Sequence, residues 1–132
     1  MDQGPLVTEL IDAGAELIRE FDKSMPVKAA FWLKASDDEH RYLYIASDRI
    51  DDSNPVLAYR EVLRLVDQIG SPYLNPFRVK LISADDPLAR AALEIQHRFP
   101  GPQATRLGAR SFGGLSVDDV CIYQSPLPVA VP

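Results

Sequence analysis

Residues 27–48 read VKAAFWLKA, SDDEH and RYLYIASD without interruption. Two segments rich in aromatic and β-branched residues flank a polar centre, which is typical of a β-hairpin. With residues 36–40 as the loop, Ala35 lies opposite Arg41. Counting outward from that pair predicts the remaining partners, which are Lys34 with Tyr42, Leu33 with Leu43, Trp32 with Tyr44, Phe31 with Ile45, and Lys28 with Asp48.

This register gives the hairpin two chemically different faces, because successive side chains along a strand point to opposite sides. The first face is apolar and collects Phe31, Leu33, Leu43 and Ile45. The second face is amphipathic and collects Lys28, Trp32, Lys34, Tyr42, Tyr44 and Asp48. We expect the first face to be buried. The second is either an exposed binding surface or, if a helix or the C-terminal segment covers it, a second core.

The bulk composition describes a single folded domain. The chain has 132 residues, of which 46% are hydrophobic and 25% are charged, and these values are ordinary for a globular protein. Its net charge of −5 makes nucleic acid an improbable partner. No apolar segment approaches the ~20 residues of a membrane span. The one cysteine cannot form an internal disulfide. We therefore expect a cytoplasmic protein with no signal peptide and no membrane association.

Three helices and three further strands complete the predicted fold. Periodic apolar residues predict helices over residues 5–21, 55–69 and 87–99, and alternation predicts strands over residues 77–84, 105–112 and 115–124. The second helix is expected to bury an inner stripe that consists of Tyr59, Val62, Leu63, Val66 and Ile69.

The order of these elements is α-β-β-α-β-α-β-β. It predicts a single α+β domain over residues 1–124, with a mixed five-stranded sheet and three helices that pack mainly on one face. Residues 125–132 are rich in proline and predict an extended C-terminal tail.

Acidic residues precede two of the predicted helices and allow two interpretations. If the second and third strands are parallel, their carboxyl ends share the sheet edge at which α/β ligand sites usually lie. The carboxylates that would meet there are Asp48, Asp51, Asp52, Asp85 and Asp86. Together they would suit Mg²⁺ or Mn²⁺ in phosphoester chemistry. We favour the alternative, in which the carboxylates cap the free N–H groups of the helices that follow.

A second candidate is an anion-binding segment. Arg106, Arg110 and Ser111 lie in a stretch that ends at the glycine pair 113–114. Guanidinium groups and accessible backbone N–H groups are both ligands for phosphate. The pattern G-x-x-x-x-G-K-[ST] is absent, however, and a glycine pair between two strands is first of all a hairpin turn.

The remaining reactive side chains do not form a catalytic set. His40 lies at the hairpin tip and His97 near a helix end, and neither has a partner at metal-ligand spacing. Cys121 alternates with apolar residues in a predicted strand, so we expect a buried, inert thiol. The sequence thus favours a protein that has no cofactor and is not an enzyme.

The favoured function is a non-catalytic protein-interaction domain whose partner is another protein or a second copy, so that a homodimer is one expectation. Its predicted surface is the amphipathic hairpin face, since Trp and Tyr are enriched at interaction hot spots. The alternative is a metal-dependent hydrolase or a phosphate-ligand binder that uses the acidic edge. Single-stranded nucleic acid stacked on the aromatic rings is a third interpretation, which the negative net charge disfavours.

Overall fold

A computed structural model describes residues 8–50, 53, 55–100 and 104–124. The helices are α1 (Thr8–Ser24), α2 (Pro55–Ile69) and α3 (Pro87–Arg98). The strands are β1 (Ala29–Ala35), β2 (Arg41–Ser47), β3 (Val79–Ser83), β4 (Thr105–Leu107), β5 (Arg110–Phe112) and β6 (Leu115–Ile122). A 3₁₀ turn, Pro76–Arg78, precedes β3. The predicted order is confirmed, except that residues 108–109 divide the fourth predicted strand into β4 and β5.

The strands form one mixed sheet with β1 at its centre. The strand order is β3-β2-β1-β6-β4, and β5 also pairs with β6. β2 and β3 are parallel, whereas the other pairs are antiparallel. Gly113 and Gly114 both have positive φ angles, of 59° and 84°, and they form the tight turn between β5 and β6. The strand order makes β3 an edge strand, which pairs with β2.

The predicted hairpin register is wrong by one residue. Trp32 lies opposite Leu43, and Lys34, rather than Ala35, lies opposite Arg41. Ala35 instead pairs with Val117 of β6, beyond an irregularity in the β1–β6 ladder. The loop between the paired residues of β1 and β2 is therefore one residue longer than predicted, because Ala35 pairs with β6 and not with β2.

This shift exchanges the side chains that share each face. Trp32 lies on the same side as Leu43 and Ile45, whereas Tyr44 lies on the side of Phe31. α1 and α2 cover the first side and α3 covers the second, so that both sides of the hairpin are cores. The amphipathic face that the sequence predicted does not exist. Two helices share one side as expected, but the third forms a core of its own.

A close approach of α1 to the sheet completes the first core. Trp32 Nε1 donates a hydrogen bond of 2.9 Å to Tyr123 Oη, which in turn donates one of 2.6 Å to the carbonyl oxygen of Ile11. Burial raises the pKa of Tyr123 well above its ordinary value, so the hydroxyl keeps the proton it donates. Gly14 lies directly over this pair, since a Cβ there would be 2.9 Å from Trp32 Nε1 and closer still to Tyr123 Oη.

We expect Gly14→Ala to lower the free energy of unfolding by about 1–2 kcal/mol. Alanine stabilises a helix by about 1 kcal/mol relative to glycine, but overpacking of a core costs about 1–3 kcal/mol. Here the added methyl group would meet the hydrogen-bonded side chains of Trp32 and Tyr123. Urea denaturation measures the difference. Gly108→Ala is the matched control, because a Cβ at Gly108 meets nothing within 4 Å. A Gly14→Ala protein as stable as the wild type would contradict this packing.

Candidate functional site

The aromatic residues predicted as a binding surface lie mainly in the interior. Trp32 is 4% exposed and belongs to the core beneath α1 and α2, whereas Tyr44 is 7% exposed and belongs to the core beneath α3. Tyr42 is half-buried at the border of the second core. The three rings therefore do not form one exposed surface, because the actual register sends Trp32 to the opposite side of the sheet from the tyrosines.

The two lysines of the predicted surface are ion-paired. Lys28 Nζ lies 3.4 Å from Asp48 Oδ2, and Lys34 Nζ lies 2.6 Å from Asp118 Oδ2. The hydrogen bond from Lys34 is the main cause of a lowered pKa at Asp118. These lysines are therefore committed to contacts within the domain.

One of the two acidic residues before α3 caps that helix. Asp86 Oδ1 accepts a hydrogen bond of 2.9 Å from the backbone N–H of Leu88, which is the N-cap arrangement that the sequence favoured. Asp85 is exposed, and its carboxylate lies 4.0 Å from the guanidinium group of Arg90. At this helix the capping interpretation accounts for Asp86, whereas Asp85 lies beside Arg90.

The parallel pairing of β2 and β3, on which the metal hypothesis depended, is confirmed. Nevertheless, no group of three or more potential metal ligands occurs in the part of the chain that the structure describes. Asp51 and Asp52 lie outside the described residues. The described geometry therefore gives the hydrolase hypothesis no metal centre.

The arginines of the predicted anion segment lie on different sides of the sheet. Arg106 is opposite Cys121, which belongs to the core beneath α1 and α2. Arg110 is opposite Val117, which belongs to the core beneath α3. Directly opposed residues of an antiparallel pair share a face, so the two guanidinium groups do not converge. Ser111 is exposed beside Arg110.

α2 presents an exposed apolar surface that includes two residues, Tyr59 and Leu63, predicted to lie in the core. α2 buries Ala58, Val62 and Leu65, and Val66 and Ile69 of the predicted inner stripe pack against the same core while partly exposed. Tyr59 is 36% exposed and Leu63 is 51% exposed, so their predicted place in the inner stripe is wrong. Their burial was predicted because they stand four residues apart beside Val62, but Leu63 faces solvent and Tyr59 reaches only the edge of the sheet.

A second apolar stripe thus runs along α2. Pro55, Val56, Tyr59, Arg60 and Leu63 line an open depression on the outer side of the helix, which we call the outer stripe. Val56 is 66% exposed and was not part of any predicted site. The sequence signal for this stripe is the seven-residue separation of Val56 from Leu63, since residues at that spacing fall on one line along a helix.

The outer stripe is joined to the edge of the sheet through Tyr59. Its hydroxyl donates a hydrogen bond of 3.1 Å to the carbonyl oxygen of Val79 and accepts one of 3.2 Å from the backbone N–H of Leu81. These are outward-facing groups of the edge strand β3. One hydroxyl therefore takes the place of one peptide of a further strand and protects this part of the edge from strand addition.

Charged side chains of α2 divide between the domain and the solvent. Glu61 binds Arg64 at 2.7 Å and accepts a hydrogen bond of 2.9 Å from Ser24 of α1. The hydrogen bonds from Arg64 are the main cause of a lowered pKa at Glu61. Arg60, in contrast, is exposed at the outer stripe and forms no ion pair with any carboxylate of the described residues. Within the described part of the chain, the outer stripe is therefore apolar with one unneutralised cation.

Cys121 has the environment of a structural thiol. It is buried in the first core, and burial raises its pKa from an ordinary value of 9.0 to about 11. Nearby Arg106 opposes this shift only in part. The predicted buried position of Cys121 is confirmed.

Tyr59→Phe is expected to lower the free energy of unfolding by about 0.5–1.5 kcal/mol, since the edge strand loses the donor and the acceptor that the hydroxyl supplies. Chemical denaturation measures the change, and hydrogen exchange should accelerate at the amide of Leu81. Tyr73→Phe is the control, because Tyr73 is also partly exposed and its hydroxyl makes no hydrogen bond within the described residues. Equal losses in both variants would contradict a special role for Tyr59.

The thiol of Cys121 is expected to resist a water-soluble disulfide reagent at pH 8 in the native protein and to react fully in denaturant. At that pH a thiol of pKa about 11 is ionised to about one part in a thousand, and burial blocks access as well. Because the pKa is higher in the folded state, the free energy of unfolding should fall as pH rises from about 9 to about 11. Rapid stoichiometric labelling of the native protein would contradict this assignment.

None of the helices in the described part of the chain is long and apolar enough to cross a membrane. Comparison of the chain with protein-family models, with curated proteins and with solved structures gave no match.

Proposed function

We propose that this chain is a non-catalytic protein-interaction domain that pairs with a second copy of itself through the outer stripe of α2. The observation that carries the proposal is a helix with two apolar stripes, of which the domain uses only one. The other exposes more than half of Val56 and of Leu63 in one continuous row. Apolar surface of this kind gains about 25 cal/mol for each square ångström that association removes from water.

The arrangement of the outer stripe suits a two-fold pair. At about 100° per residue, Val56 and Leu63 lie on one line along the helix, with Tyr59 about 50° to one side and Arg60 about 50° to the other. Two parallel copies related by an axis along the helices would set Val56 against Val56 and Leu63 against Leu63. Tyr59 of each copy would then meet Arg60 of the other, so that each guanidinium group makes a cation–π contact with a tyrosine ring.

Charge favours this parallel pairing over the antiparallel one. With the two-fold axis perpendicular to the helices, Tyr59 would meet Tyr59 and Arg60 would meet Arg60 at the centre of the contact. Two guanidinium groups without carboxylates would then face each other as the interface lost water, which costs free energy. Parallel copies avoid this conflict and leave the hydrogen bonds of Tyr59 to β3 intact.

Leu63→Glu is expected to weaken self-association at least about 30-fold, the effect of losing a hot spot worth about 2 kcal/mol, because a carboxylate would be buried against apolar groups. Analytical ultracentrifugation over a concentration series measures the dimer constant. Phe99→Glu is the matched control, since Phe99 is 50% exposed at the end of α3, outside the outer stripe. A wild-type chain that stays monomeric, or a Leu63→Glu dimer as tight as the wild type, would overturn the proposal.

Thiol cross-linking tests the orientation of the pair. In parallel copies, Leu63→Cys should cross-link to itself through a short bifunctional maleimide, and so should Val56→Cys. An antiparallel pair would instead cross-link only a mixture of the two variants, which would overturn the parallel arrangement. The natural thiol of Cys121 is buried and does not compete.

A further inference from the structure

We propose that Arg78 and Lys80, together with the hydroxyl of Tyr42, form a binding site for a phosphate dianion on the side of the sheet that α3 covers only in part. α3 packs on β1 and β6, at the other end of that side. The site lies on β2, β3 and the 3₁₀ turn that precedes β3. It shares no side chain with the outer stripe of α2, so its existence does not depend on self-association.

Two cations converge on one aromatic ring at this site. Lys80 Nζ lies 4.3 Å from the ring centroid of Tyr42 and 5.7 Å from that of Tyr44. The guanidinium carbon of Arg78 lies 5.7 Å from the same Tyr42 centroid. The ring of Tyr42 thereby lies within cation–π distance of two positive charges on the open part of the sheet.

No carboxylate of the described residues neutralises these charges. The cations of the neighbouring strands β1 and β2, in contrast, are matched, since Lys34 pairs with Asp118 and Arg41 pairs with Asp119 at 2.7 Å. Arg78 and Lys80 form no ion pair within the described part of the chain, although the protein as a whole carries a net charge of −5. A local excess of two positive charges in an acidic protein therefore requires an anionic ligand or exposure to water.

The surrounding polar groups can complete the coordination of an anion. Arg78 Nη2 donates a hydrogen bond of 3.2 Å to Nδ1 of His40, since a guanidinium group has no acceptor, and this bond holds one edge of the guanidinium group in place. The hydroxyl of Tyr42 makes no hydrogen bond within the described residues and is free to donate to an oxygen of the ligand. Asp38, two residues before His40, accepts a hydrogen bond of 2.9 Å from the backbone N–H of His40.

A phosphate dianion fits this set of groups better than a carboxylate does. It carries nearly two negative charges at neutral pH and offers three or more acceptor oxygens, which matches two cations and one hydroxyl donor. Inorganic phosphate and the phosphate group of a small ester share this chemistry. A site for the ester would bind phenyl phosphate more tightly than inorganic phosphate, whereas a site for the free ion would bind inorganic phosphate at least as tightly.

Titration of the full chain with inorganic phosphate, and separately with phenyl phosphate, at constant ionic strength tests the proposal. We expect saturable changes in the amide NMR signals of residues 42 and 78–80. Lys80→Met and Arg78→Met keep the apolar stems and should each weaken binding at least about tenfold. Lys23→Met is the matched control, since it removes one exposed lysine charge of α1 and should leave binding unchanged.

Absence of saturable changes with both ligands would overturn the proposal, as would equal weakening by Lys23→Met, which would indicate a response to net charge alone. A circular dichroism spectrum of each variant verifies the fold. Because Leu63→Glu disrupts the outer stripe and not this site, it should bind phosphate as the wild type does, and the two proposals fail separately.

Discussion

Burial of the central strand on both of its faces is the constraint on which the rest of the structure depends. Phe31 and Trp32 are neighbours in β1, and they point into separate cores. Because successive residues of a strand point to opposite sides, two consecutive large rings require a helical layer on each side of the sheet. α1 and α2 supply one layer and α3 the other. Gly14 then lets α1 lie close enough for the hydroxyl of Tyr123, which accepts the hydrogen bond of the Trp32 indole, to donate to the carbonyl oxygen of Ile11 in a dry interior.

The sequence predicted the elements and their order because periodicity is a local property, but it did not predict the hairpin register. Registers differ by whole residues, and a slip of one residue exchanges the two faces. Counting within the hairpin made Ala35 the last paired residue of its first strand. In the structure Ala35 pairs with Val117 of β6. That strand lies more than 80 residues further along the chain, and no pattern within residues 27–48 records it.

The candidate surfaces were hidden from the sequence for related reasons. Tyr59 and Leu63 stand at helical spacing, but so do Ala58 and Leu65, and spacing alone does not say which stripe faces the sheet. Nor does spacing record that the hydroxyl of Tyr59 satisfies outward backbone groups of β3. The sequence did not predict that Lys80 lies over the ring of Tyr42, because the predicted register placed Tyr42 on the same face as Trp32. In the structure these two rings lie on opposite sides of the sheet, and Lys80 is on the side of Tyr42.

Both proposed surfaces meet at β3, and this short edge strand determines how each can work. Val79 and Leu81 point into the first core, whereas Lys80, between them, points to the side on which the tyrosine rings of β2 lie. The part of the outer edge at Val79 and Leu81 is already occupied by the hydroxyl of Tyr59, so a partner cannot add a strand there without breaking two hydrogen bonds. A partner that docks on the side chains of α2 breaks none. Helix-face pairing is therefore the cheaper mode of association for this domain, and it leaves the phosphate site on the far side of β3 accessible.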